Sequence, residues 1–206
     1  VTVVSEGLSL VHALTPEWVR LIWIGSIVGL VAFVVVQRTL LRATWHTLIN
    51  RLTSERTVLA GLLAIVLLTG VTAWFAPPNT SDSMGYHMSR VANWVQRQSV
   101  ANYATPTLRQ LYQPTWAEFA ILQLQLLSGS DRFANFVQWF SMIGCVLGAS
   151  LIAKLLGGSA RAQIQTAVFV GTLPMGVLQA SSTQNDFVES FWLVAFSASV
   201  LIIWTK

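Results

Sequence analysis

Residues 57–82 read TVLAGLLAIVLLTGVTAWFAPPNTSD: a stretch without a charged side chain, a Pro77-Pro78 stop, and then the acid Asp82. A helix that crosses a bilayer needs roughly 17–25 mostly apolar residues, because the hydrocarbon layer is about 30 Å thick. A proline pair cannot continue such a helix. Residues 57–76 are therefore expected to span a membrane and to release the chain into a polar environment near Asp82. Four further charge-free runs, 21–37, 133–153, 162–185 and 190–205, repeat the pattern. The whole chain is 54% hydrophobic and only 10% charged, where a soluble domain carries about 25% charged residues. The expected fold class is all-α integral membrane, with about five transmembrane helices. They fall near 17–39, 57–76, 131–156, 161–180 and 187–205, with a turn at Gly157-Gly158 and a kink at Pro174.

The net charge of +4 does not describe a nucleic-acid binder, because of where the charges lie. Arg38, Arg42, Arg51 and Arg56 surround a single acid, Glu55, between the first two runs; Lys154 and Arg161 flank another connection, and Lys206 follows the last run. Residues 77–131 instead balance Arg90, Arg97 and Arg109 against Asp82, Glu118 and Asp131, and 181–190 hold only Asp186 and Glu189. Basic connections stay in the cytoplasm. This orientation puts 38–57 and 154–161 inside, and the N-terminus, 77–131 and 181–189 outside, in a membrane expected to be the bacterial cytoplasmic (inner) one. Trp18, Trp45, Trp74 and Trp204 lie near helix ends, where an amphipathic ring prefers the interface. Cys145 is a lone thiol in an apolar run and is expected buried, without an internal disulfide. The first apolar run follows Glu6 and Glu17 rather than a basic segment, so no signal peptide is expected. A chain opening on Val1 and stopping at Lys206 as a helix ends is expected to be the N-terminal part of a longer polytopic protein.

Between the spans, residues 1–16 read as a short outer tail and 40–57 as a helical connection, with Trp45 and Leu48 on one side and Arg42, Asn50 and Arg51 on the other. The polar island 77–131 divides into two short interfacial helices. In 83–98 the apolar Met88, Val91, Trp94 and Val95 oppose Arg90, Asn93 and Arg97, the pattern of a helix lying in the interface plane. Residues 99–114 are irregular, and 116–128 form a second helix too short to span. Ser128-Gly129-Ser130-Asp131 is expected to cap the next spanning helix.

The island also holds the candidate chemistry, since an ionisable group beside a membrane-embedded segment is costly to keep there. If 82–98 is one helix, Asp82, Tyr86 and Arg90 share a face, with Asn93 and Arg97 extending it. A carboxylate can take a proton from an attacking hydroxyl, and arginine matches a phosphate through paired hydrogen bonds. Asp82 also suits a helix cap. Thr115-Trp116-Ala117-Glu118 has capping-box spacing, so Glu118 reads as a cap or as a substrate or metal ligand. Asp186 is a cap of the last helix or a second acid in the same cleft. Arg109, Tyr112 and Gln113 cover a substrate or form a solvated face. His87 lies off the Asp82–Arg90 stripe and has no His or Cys at zinc-ligand spacing. No GxSxG, P-loop, HExxH or dinucleotide motif occurs.

The order of features from residue 58 onward resembles the N-terminal part of the membrane glycosyltransferases that use lipid-phosphate sugars, the superfamily of protein mannosyltransferases and lipid A aminoarabinose transferases. Shared are an apolar helix, an outer Asp, a helix bearing an Arg, a proline-containing turn, a short helix and a charge-capped span. The resemblance divides the chain into 1–57, an outer tail with an additional transmembrane helix and a cytoplasmic connection, and 58–206, the glycosyltransferase-like part with its outer loop 77–131. It implies that Asp82 is the catalytic carboxylate that deprotonates or orients the acceptor hydroxyl, and that Arg132 opens the next span. The family's second acid is Ser83 here, and its Pro-Pro pair is Gln113-Pro114, with Glu118 the nearest acid. The implied function is transfer of a sugar from a polyprenyl-phosphate carrier to a lipid, glycan or protein acceptor on the outer face. Arg90 and Arg97 or Arg109 would hold the lipid phosphate, and Tyr86, His87 and Tyr112 would shape the sugar pocket. No cofactor is certain, and a divalent metal stays open. The rival readings are a transporter or flippase of an anionic lipid-linked substrate, and a non-catalytic membrane subunit. Charge-free span interiors favour the enzyme over the transporter, which places polar groups at the midplane.

Overall fold

The computed structural model describes residues 1–36 and 56–204, and among them every regular element is helical. In chain order these are α1 (Thr2–Leu10), α2 (Pro16–Val36), α3 (Arg56–Phe75), a π-helical segment (Ser83–His87) running into α4 (Met88–Arg97), α5 (Arg109–Tyr112), α6 (Trp116–Ser128), α7 (Phe136–Leu155), α8 (Ala160–Gly171), α9 (Pro174–Gln179) and α10 (Asp186–Trp204). The expected helical connection up to residue 55, with Arg38, Arg42, Trp45, Leu48, Asn50 and Arg51, and the terminal Lys206 lie outside the described residues.

The protein is an all-α integral membrane protein. Four helices, α2, α3, α7 and α10, are long and apolar enough to cross a bilayer. Their outward surfaces are what lipid requires: Leu21, Ile24 and Val28 on α2 and Leu63, Leu67 and Leu68 on α3 are all exposed. A water-soluble protein does not show contiguous apolar faces of this size. The fifth expected span, 161–180, divides into α8 and α9. Leu173 is extended (φ −57°, ψ 118°) immediately before Pro174, because a proline disfavours helical geometry in the residue it follows. The kink expected at Pro174 is thus a full break.

Helix α7 is the hub of the bundle, packing along α8 and α10 and also against α3. Close approach to α10 depends on Gly144 and Gly148, one turn apart. A Cβ at either would collide with Phe191 or Val194 respectively, the small-residue contact by which membrane helices pack. Cys145 is buried beside them as expected, in a cluster with Met142, Ala180 and Phe187.

The start of α7 differs from the expectation. Gly129 (φ 76°) ends α6 in the left-handed conformation that glycine adopts without a Cβ penalty. Residues 131–135 form turns, with the Ala134 N–H bonded to the Asp131 carbonyl at 2.9 Å. Asp131 therefore does not cap α7, which begins at Phe136 with Asn135 before it. Asn135 Nδ2 instead donates to the Ala76 carbonyl (2.8 Å), tying the start of α7 to the end of α3.

The polar island packs as a layer on one end of the bundle, and α6 is its centre. Phe119, Ile121, Leu122 and Leu126 of α6 are buried with Val91, Trp94 and Tyr103, so the helix expected to lie in the interface plane is enclosed by protein. The expected tail is also structured: α1 docks on α6. Fully buried Gln123 holds two helices at once, donating from Nε2 to the Val1 carbonyl (2.9 Å) and Ser5 Oγ (3.0 Å) on the α1 side, and accepting from Trp23 Nε1 of α2 (2.9 Å). Ser9 Oγ accepts from the Val100 N–H (2.9 Å). A buried amide with partners at both ends costs little to desolvate.

Candidate functional site

Thr80, not Asp82, caps the helix that leaves the Pro77-Pro78 stop: its Oγ1 accepts from the Ser83 N–H at 3.1 Å, and Asp82 makes no capping bond. The π segment follows at once. The Met88 N–H reaches back five residues to the Ser83 carbonyl, and Ser89 Oγ donates to the Met84 carbonyl (2.5 Å). A π turn inserts about one extra residue, which turns everything after it by roughly 100° relative to an unbroken α-helix. The expected Asp82–Tyr86–Arg90 stripe is broken for that reason. Asp82 stays at the surface, while Tyr86, His87 and Arg90 turn inward and are buried.

Arg90 has become a clamp inside the protein. Nε donates to the Gln110 carbonyl (2.7 Å), Nη2 to the Arg109 carbonyl (2.7 Å), and Nη1 to the Gln113 carbonyl (3.1 Å) and to Glu118 Oε1 (3.2 Å). His87 Nδ1 donates to the same Glu118 oxygen at 2.7 Å. All three side chains are fully buried. Arg90 is therefore not placed to reach a lipid phosphate, and His87 does not line an open sugar pocket, because their donors face protein. The capping box expected at 115–118 is also absent. Thr115 makes no side-chain cap, and Glu118 turns inward to neutralise Arg90, since a buried guanidinium without a partner is far costlier than a lost cap.

Gln110 completes this knot and had no sequence signal beyond being a polar residue in a polar loop. Its Oε1 accepts from Tyr103 OH and Thr105 Oγ1 (both 2.9 Å), and its Nε2 donates to the Gly85 carbonyl (3.1 Å) within the π segment. The turn that carries Arg109 is thereby fixed against the helix that carries Asp82. On the open side of the knot, Arg109 Nη1 stands 3.5 Å from Asp82 Oδ1. Both side chains are accessible, at 59% and 44%. Tyr86 lies between this pair and the buried knot, its ring 3.9 Å from that of His87. Burial, and then the charges of Asp82, Glu118 and Asp186, push the Tyr86 phenol above the usual tyrosine range, against a smaller opposite pull from Arg109. Three carboxylates and one guanidinium thus act on a single phenol.

The remaining candidates are scattered. Asp186 sits exposed in the first turn of α10, within electrostatic reach of Tyr86. Arg97 lies over the Tyr103 ring (5.8 Å), at the far end of α4. Tyr112 is exposed, and Gln113 contributes its backbone carbonyl to Arg90. Arg132 stacks on Trp74 at 5.1 Å. Among the described residues no three His, Cys, Asp or Glu side chains converge as a metal-binding group. Comparison with protein-family models, with curated proteins and with solved structures gives no match to this chain.

Proposed function

We propose that the protein is a membrane glycosyltransferase that moves a sugar from a polyprenyl-phosphate carrier to a hydroxyl on a lipid, glycan or protein acceptor, at the outer face of the bacterial cytoplasmic membrane. The observation that carries this reading is the accessible Asp82–Arg109 pair. An exposed ion pair stabilises a fold by only about 0–1 kcal/mol, and here Thr80 already does the capping that would otherwise explain Asp82. A carboxylate free of structural duty beside a guanidinium held by a rigid turn suits an acid–base site.

In the proposed step the acceptor oxygen attacks the anomeric carbon while the bond from that carbon to the carrier phosphate oxygen breaks. Asp82 takes the acceptor's proton, and the bond's electron pair leaves on the phosphate, whose charge Arg109 meets. Attack from the face opposite the phosphate would invert the anomeric centre, with the carrier phosphate drawing Arg109 away from its 3.5 Å contact with Asp82. The arrangement of basic connections inside and the balanced island outside supports an outward-facing site, and a site at the membrane surface suits a carrier that cannot leave the bilayer.

The test is sugar transfer by membranes containing the full-length protein, supplied with a panel of labelled polyprenyl-phosphate sugars and native envelope lipids. Transfer above membranes lacking the protein is expected. Absence of transfer with every carrier would overturn the reading.

A further inference from the structure

Two cavities meet at Trp116, and their linings differ in kind. One is an open groove of about 510 Å³ walled by Trp74, Trp116, Phe133, Phe136, Phe140 and Phe191, with almost no polar surface. The other is a cleft of about 290 Å³ between the start of α6 and the start of α10, lined by Pro114, Trp116, Asn185, Val188, Glu189 and Trp192. Trp116 and Trp192 pack edge to face against each other in its wall, with centroids 5.3 Å apart. At its polar end Asn185 Nδ2 donates to Glu189 Oε1 (3.1 Å), which, among the described residues, leaves the amide oxygen and the second carboxylate oxygen free to accept.

We propose that this cleft is a sugar subsite, in which a pyranose or furanose ring lies against Trp116 and Trp192 and donates hydroxyl hydrogens to Asn185 and Glu189. An indole offers a broad apolar face to the C–H side of a sugar, and apolar walls with a few fixed polar groups are how small-molecule sites orient a ligand. The lining contains no Lys or Arg and does contain a carboxylate, so it selects an uncharged or cationic ring and repels a phosphate. The phosphate is left to Arg109, which extends from the same 109–114 turn that ends at Pro114 in the cleft wall. The apolar groove on the other side of Trp116 admits the hydrocarbon part of the same amphiphile.

The inference deepens the glycosyltransferase reading and rests on it for the ligand's class, yet it can be tested without turnover. The protein as purified, in lipid nanodiscs, is titrated with undecaprenyl phosphate and with undecaprenyl-phosphate glucose, mannose, galactose and arabinose. The variants are Trp192→Ala, Trp192→Phe and Glu189→Gln; both positions are exposed, Trp192 by 49%, so the fold should tolerate them. Trp192→Ala is expected to weaken the preferred sugar-bearing carrier by about tenfold, with Trp192→Phe largely restoring it. Binding of sugarless undecaprenyl phosphate should stay within about twofold. Equal losses for sugar-bearing and sugarless carriers, or no loss for any sugar-bearing carrier, would overturn it. Sugar-selective binding without any transfer would retain the subsite and reject the enzyme.

Discussion

Arg90 Nη2 donates to the backbone carbonyl of Arg109 at 2.7 Å, so the arginine that faces Asp82 hangs from a turn held by a second, buried arginine. The guanidinium's rigid fork satisfies carbonyls at 109, 110 and 113 together with the Glu118 carboxylate. A lysine offers one compact charge and cannot span that arc. Arg90→Leu should cost about 3–5 kcal/mol, because it takes the guanidinium from a buried carboxylate and leaves Glu118 with His87 alone. Arg90→Lys should cost about 1–3 kcal/mol for the carbonyls it abandons. Thermal unfolding in detergent would check this order, and an unchanged melting temperature for Arg90→Leu would refute the clamp.

The same logic makes Arg90 and Glu118 energetically one unit. Glu118→Leu alone leaves the buried guanidinium with backbone carbonyls but no countercharge. The double change Arg90→Leu with Glu118→Leu removes both charges, and should be less destabilising than the sum of the singles by about 0.5–3 kcal/mol. A double-mutant cycle from denaturation midpoints measures the coupling directly, and strict additivity would mean the two do not interact.

The contact between α7 and α10 makes a second kind of prediction. Gly144→Ala and Gly148→Ala push a methyl group into Phe191 and Val194, and overpacking of this sort costs about 1–3 kcal/mol. Gly61, on α3, has open space where its Cβ would sit, so Gly61→Ala should be neutral or stabilising by up to about 1 kcal/mol. Equal melting temperatures for all three variants would contradict the packing described.

Tyr86 should report its surroundings in alkali. Its phenol is raised first by burial and then by Asp82, Glu118 and Asp186, so the folded state favours the neutral form. The stability this adds is fully present below the unfolded tyrosine pKa, near 10, and is lost as pH rises through the higher folded value. Phenolate absorbance, taken as the difference between wild type and Tyr86→Phe, should titrate above the ordinary range. In Asp82→Asn the titration should move part of the way back, leaving the larger effect of burial. A Tyr86 titration that ignores Asp82→Asn would place the carboxylate elsewhere.

The membrane class was legible because hydropathy and proline act locally. Residues 57–76 and 187–205 carry their spans in composition alone, and Pro174 announces its break. The layer formed by the polar island was only half legible. The apolar side of α4 was readable from Val91 and Trp94, but the depth of α6 was not, since Glu118 and Gln123 read as surface residues until their partners appear from distant segments. The π turn at Ser83–His87 defeated the face assignment most directly. Helical spacing presumes a constant advance of about 100° per residue, and nothing in Ser83-Met84-Gly85-Tyr86-His87 signals that the advance changes there. Asp82 survived as a candidate because it precedes that turn. Arg90 did not survive as a phosphate ligand because it follows it.

The most direct measurement is the rate of sugar transfer by membranes containing Asp82→Asn beside wild type, at matched protein levels and saturating carrier. Asparagine keeps the size and exposure of the side chain but cannot take a proton. Transfer should fall by about 10²–10⁴-fold, with melting temperature and carrier binding unchanged. Equal transfer by both proteins would contradict the account, making Asp82 a bystander at the surface.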